Sequence, residues 1–253
     1  DLALRAGGTL AGKILRNGTS LCYLVLQGGD FNLSGELGTN AQILIQDVVG
    51  LNPQVHINAN LQLAQGARIE RQSGLLDWTN GWLQLDSGST LATQGQDFTI
   101  PTSGTLAGTG TIDVGNGTLI NQGNLLPGGD SLIGTLNILG NYHQASSGNL
   151  NIDLASSTQA DQLNVSGNLA VDGTLTAKTL AGYTPQEREV IPFLFVGGTG
   201  SGSFSNLNLP NGFIPSYNRS TGEWTRLIYS TTGKNVFTNA QGGNTWENPL
   251  NWL

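Results

Sequence analysis

Few side chains in this sequence are of the kinds that do chemistry, and their spacing narrows the choice further. Imidazole occurs twice, at His56 and His143, and thiol once, at Cys22. A zinc site needs three or four clustered ligands, and a Cys/His nucleophile pair needs its two groups within reach. His56 has the opposite parity to Val55, Ile57 and Ala59. His143 has the opposite parity to Leu136, Ile138 and Tyr142. Both are expected to face solvent without a catalytic role. Cys22, within Leu21-Cys-Tyr-Leu-Val-Leu26, reads as a small buried hydrophobe rather than a reactive thiol. Carboxylates are the stronger candidates, because a carbohydrate hydrolase needs two of them roughly 5–10 Å apart. Asp153 alternates with Ile152 and Leu154, so it is expected to point outward. Asp161 shares parity with Leu163 and Val165 and opens its strand. The simpler role for it, and for Asp113 and Asp172, is that of a corner residue accepting backbone N–H bonds.

Two further patterns bear on ligands. Trp78 and Trp82, in Asp77-Trp-Thr-Asn-Gly-Trp82, flank an Asn-Gly turn. Aromatic rings beside a turn could stack on a sugar; packing under a loop is the plainer alternative. Gly197-Gly-Thr-Gly-Ser-Gly202 lacks the Lys-Ser/Thr ending of a phosphate-cradling loop and reads as a flexible turn. Gly128-Gly-Asp130 is only a fragment of the calcium-binding nonapeptide repeat. The sequence therefore predicts no catalytic residue, no metal site and no cofactor. Trp78 and Trp82 are its ligand-binding candidates.

The elements that would position these groups are short strands. Gly104-Thr-Leu, Gly117-Thr-Leu, Gly123-Asn-Leu, Gly134-Thr-Leu, Gly148-Asn-Leu, Gly167-Asn-Leu and Gly173-Thr-Leu repeat one unit, a glycine and a small polar residue before a leucine. Each unit opens a short alternating run, too small to bury its own apolar face, whereas stacked units share one. Upstream, Val55, Ile57, Ala59, Leu61 and Leu63 hold one parity against Asn58, Asn60 and Gln62, the pattern of a half-buried strand. The pattern predicts an all-β chain, a parallel β-solenoid over 1–180 of roughly a dozen coils. Asn ladders are expected among Asn121, Asn124, Asn141, Asn149 and Asn168. Asn17-Gly is a tight-turn signal. Residues 181–192 break the pattern with Gln-Glu-Arg-Glu. The aromatic-rich stretch that follows, through 232, reads as irregular strands capping the solenoid. Residues 233–253, with Trp246 and Trp252, read as a tail or the start of a further unit.

Composition limits the partners. Charged residues are 11% of the chain, glycines number 37, and the net charge is −7. No basic stripe exists, which excludes a nucleic-acid footprint and disfavours anionic lipid. No run of about 18 apolar residues is present, so membrane insertion by this segment is not expected. With no Met and no leader-like opening, the chain reads as a piece of a longer polypeptide.

Several stretches together carry a family resemblance. They are Gly108-Thr-Gly-Thr-Ile, Asn121-Gln-Gly-Asn-Leu-Leu-Pro-Gly-Gly, Ile133-Gly-Thr-Leu-Asn-Ile-Leu-Gly-Asn-Tyr-His-Gln, Gly148-Asn-Leu-Asn-Ile-Asp-Leu, Asp161-Gln-Leu-Asn-Val-Ser-Gly-Asn-Leu, Gly182-Tyr-Thr-Pro and Leu209-Pro-Asn-Gly-Phe. In that order, residues 104–230 resemble the C-terminal part of autotransporter (type V secreted) adhesin passenger domains. Residues 1–100 share only the texture, which two-partner-secreted haemagglutinin-like exoproteins also have. The resemblance implies a right-handed parallel β-helix, secreted and displayed on a bacterial surface, attached to the outer membrane through a part outside this sequence. It implies a non-enzymatic rod for adhesion or aggregation, meeting its own kind or a cell-surface glycan or protein. A carbohydrate-binding or carbohydrate-active β-helix is the alternative.

Overall fold

The computed structural model describes residues 2–15, 23–46, 52–218 and 221–231. Cys22, the Asn17-Gly turn and the tail at 233–253 lie outside the described residues. No helix occurs among those described, so none is long and apolar enough to cross a membrane. All but a few strands pair in parallel, and hydrogen bonds tie them into sheets of 14 and 11 strands. The chain winds as a β-solenoid with three strand positions per turn.

Register makes the winding explicit. On the first face Leu2, Leu24, Ile43, Ile69, Leu91, Ile112, Ile138, Val165 and Val196 stack in one file. On the third face Leu61, Leu83, Leu106, Leu125, Leu150, Leu175 and Leu207 form another. The leucines of the repeated unit therefore belong to different files. Leu106, Leu125, Leu150 and Leu175 lie on the third face, while Leu119 and Leu169 lie on the second, stacked through Tyr142. The second face is hydrogen-bonded in two blocks. Trp78 ends the first block and Phe98 begins the other; their rings stack at 6.2 Å and 21°.

The first-face file has nine members, fewer than the dozen coils expected. Each full turn takes more residues than the short repeat suggests, because the unit marks one side of a coil. Period-two alternation puts the inner members of each file in one core shared by all three faces, while Leu2 and Leu207, at the ends of their files, are exposed. Long strands such as Thr111–Asn121 and Thr135–Gln144 turn a corner between faces without breaking. Close rung contact needs glycine at some corners. At Gly108, φ is 117° and a Cβ would lie 2.0 Å from the Leu85 carbonyl oxygen.

One internal corner is polar. Asn121 and Gln144 are fully buried beside Tyr142. The Asn121 amide donates to the Tyr142 hydroxyl at 3.2 Å, and that hydroxyl donates to Gln144 Oε1 at 2.9 Å. Gln144 Nε2 donates to the Asp172 and Thr174 carbonyls of the next rung, at 3.0 and 2.8 Å. Outside, Asn149 donates to Asn124 at 3.4 Å, and Asn141 Oδ1 accepts the Asn168 backbone N–H at 2.9 Å. The Asn149–Asn124 pair is one of the expected ladders; Asn168 meets Asn141 through its backbone, and Asn121 turned inward.

Parallel stacking continues past residue 180, through Gly200–Gly202 and Asn206–Asn208. The stack on the first face then changes character. Val190–Val196 pairs antiparallel with Gly222–Tyr229, which pairs antiparallel with Phe213–Tyr217. Trp224, Phe193 and Tyr217 are buried under this hairpin, which forms the aromatic C-terminal cap.

Candidate functional site

Residues from four separate segments meet at the edge of the third face. Strand Asn124–Pro127 leads into the loop 128–134, which returns to the first face at Thr135. Gly128 allows the return: its φ is 79°, and a Cβ would lie 2.1 Å from the Leu132 carbonyl oxygen. The loop supplies Asp130 and Ser131, the latter with a φ of 61°. Strand Asn149–Leu154 supplies Asp153, and strand Thr174–Thr179 supplies its register partner Lys178. Asp161 arrives from the turn that precedes Gln162–Val165. Asp130, Asp153, Asp161 and Lys178 border a cleft of about 60 Å³, completed by Leu126, Asn151 and Thr176.

Asp161 is the keystone. It is 1% exposed. Its Oδ1 accepts the Gly134 N–H at 2.9 Å, and its Oδ2 accepts the Asp153 N–H at 2.8 Å. Both bonds tie loops to the coil, which is the corner role expected for it. Burial raises its pKa to about 7, outweighing those two N–H donors. Asp113 and Asp172 act similarly toward the backbone N–H groups of Gly115 and Gly173.

Asp153 departs from its outward assignment. Its side chain is only 7% exposed. It sits at the strand end, where the loop 128–134 and Lys178 of the next rung cover it, a feature that strand parity does not encode. Burial raises its carboxyl pKa. Its Oδ1 lies 3.5 Å from Lys178 Nζ, and its Oδ2 is buried without a hydrogen-bond partner.

Lys178 also donates to Asp130 and, at 3.2 Å, to Ser131 Oγ. A serine with positive φ beside a lysine suggests a nucleophile and its base. The charges oppose that. The hydrogen bond to Asp130 raises the Lys178 pKa and lowers that of Asp130, so the ammonium stays protonated and cannot take the Ser131 proton. Asp161 has committed both oxygens to the backbone. The cluster is built to hold a loop and to offer hydrogen-bonding groups.

The sequence candidates lie elsewhere. Trp78 is 5% exposed, packs on Phe98 and donates its indole N–H to the Asn80 carbonyl at 2.8 Å. Trp82, 37% exposed, lies on the outside of the third face. The structure thus separates the two rings, one in the core and one at the surface. Leu76 and Trp78 share parity with each other, a signal that places Trp78 inside. His143 is exposed. His56 is half-buried, its Nδ1 2.5 Å from Asp77 Oδ1 and its Nε2 3.4 Å from Asp30 Oδ1. Gly200–Gly202 is a strand paired with Leu169–Val171, within the stretch expected to be a flexible turn. Among the described residues no group of three or more His, Cys, Asp or Glu is arranged to hold a metal ion.

No known family model matches this chain, and no curated protein matches its sequence. Function must therefore be argued from the molecule itself.

Proposed function

We propose that this chain is a non-enzymatic structural and adhesive segment of a secreted bacterial surface protein. The observation that carries the reading is the unbroken register of the first-face file from Leu2 to Val196. Eight rung spacings of about 4.8 Å give a stiff rod on the order of 40 Å from these strands alone. Its outer surface repeats neutral polar groups, such as the Asn124–Asn149 and Asn137–Asn164 pairs, rather than charge. Such a face suits broad contact with a glycan or with a second rod. The antiparallel cap covers one end of the first-face stack, where an open strand edge would invite unwanted pairing. The resemblance to autotransporter passenger domains points the same way.

The test combines sedimentation velocity with adhesion of beads coated with the protein to one another and to bacterial and host cells. Concentration-dependent association or cell adhesion is expected. A monomer that adheres to nothing would remove the reading.

One observation favours the carbohydrate-active alternative: Asp130, Asp153 and Asp161 border one cleft. Release of reducing ends or unsaturated sugars from a polysaccharide panel would establish it.

A further inference from the structure

The loop-covered cleft at the edge of the third face contains a group that its structural role does not use. Asp161 is saturated by two backbone N–H groups, and Asp130 is paired with Lys178. Asp153 is different. Its side chain is more than nine-tenths buried and lines the cleft, yet its Oδ2 has no hydrogen-bond partner. Buried carboxylate oxygens are normally satisfied, and such an exception points to something the group is kept for. Its cover is the loop 128–134, whose Ser131 backbone also reaches the carboxyl, together with the side chains of Lys178, 46% exposed, and Asp130, 80% exposed.

We propose that this cleft admits hydroxyl groups of a neutral sugar unit at the tip of a surface glycan, with Asp153 accepting and Lys178 donating. This rests on the adhesive reading above and names a ligand for it. Three features select the class. The first is size: about 60 Å³ takes a few water-sized groups and lies well below the roughly 300 Å³ at which small-molecule pockets begin. Only the edge of a ligand enters, and the rest must lie on the surface. The second is charge. The Asp130 carboxylate, with Asp153 and Asp161 as they ionise, repels an anion, while the Lys178 ammonium competes with a metal cation for the same oxygens. A hydroxyl suits both, since it donates to a carboxylate and accepts from an ammonium. The third is the approach. Asn124, Asn149 and Thr176 form a hydrogen-bonded polar strip on the third face, with Thr176 Oγ1 donating to Asn149 Oδ1 at 2.9 Å. Asn149 also donates to Asn151 Oδ1 at 3.2 Å, and Asn151 and Thr176 belong to both strip and cleft wall. A glycan lying on that strip meets ordered polar groups at each rung and ends at Asp153.

The experiment is an array of neutral and acidic oligosaccharides, probed with the whole chain and with Asp153→Asn, Lys178→Met and His143→Ala. Neutral glycans are expected to bind, at least tenfold more weakly after Asp153→Asn and after Lys178→Met. His143→Ala, at an exposed position on the second face, should bind as the parent does. Should Asp153→Asn lower the melting temperature, Lys178→Met, at a half-exposed position, decides the matter. Binding unaffected by both cleft variants overturns the proposal, as does an array on which nothing binds. A calcium-dependent rise in melting temperature without glycan binding would mark a cation site and overturn it too. Rod association measured by sedimentation would survive either failure, so the two readings fall separately.

Discussion

The titration of Asp161 gives the sharpest prediction. Its folded pKa is about 7, against an ordinary value of 3.8. The folded state therefore holds this proton more tightly than the unfolded chain. Stability from this group is fully present below about pH 4 and is lost as the pH rises through about 7. At about 1.4 kcal/mol per pH unit, the ceiling on the loss is about 4 kcal/mol. For a chain of this size that is roughly 8–16 °C in melting temperature. Asp153, covered by the same loop and also raised, shifts stability in the same direction, while Lys178 and Asp130 remain ionised across this window. Asp161→Asn isolates the effect. The amide oxygen keeps one backbone N–H, but the amide NH2 meets the other and leaves a donor unpaired, at about 1–3 kcal/mol. The variant should thus be less stable than the parent at pH 5, and the gap should close or reverse by pH 8. Thermal melts by far-UV circular dichroism between pH 5 and 8 read this directly. A parent whose melting temperature is flat over that range, or a variant with the same slope, would refute the reasoning.

Other perturbations have equally definite outcomes. Leu106→Ala empties a fully buried position between Leu83 and Leu125 and should cost about 2–5 kcal/mol in denaturant titration. Tyr142→Phe leaves the Asn121 amide and Gln144 Oε1 without their shared hydroxyl, and about 1–3 kcal/mol should be lost in the same assay. Trp224→Ala removes the largest fully buried side chain among the described residues, at about 3–5 kcal/mol, and amide exchange should quicken first in Val190–Val196 and Gly222–Tyr229. Trp82→Ala, at a partly exposed ring, should change the melting temperature by less than about 2 °C.

Much of the architecture is legible in the sequence because a parallel solenoid repeats one local rule. Parity alone places Val55, Ile57, Leu61 and Leu63 inside, and they are buried, whereas Ala59, of the same parity, is only partly buried. Glycine before a small polar residue and leucine marks strand starts on all three faces alike, Leu136 on the first, so spacing between the marks does not count coils. Asp161 was readable as a corner because an acid that opens a strand has backbone N–H groups ahead of it. Asp153 was not, since its burial depends on a loop arriving from 20-odd residues upstream and a lysine from the next rung. The cleft as a whole is invisible for the same reason. Its residues are local to nothing but the stack.

The stacking direction has a mechanical consequence. Hydrogen bonds between rungs run along the rod, whereas the chain itself runs around it. Tension applied to the two ends therefore peels one coil at a time instead of shearing every rung together. A coil such as Leu91 to Ile112, paid out at about 3.4 Å per residue, lengthens the tether by roughly 70 Å. A segment built this way yields in small successive steps under flow, absorbing work while the remaining coils, and whatever they display, stay wound.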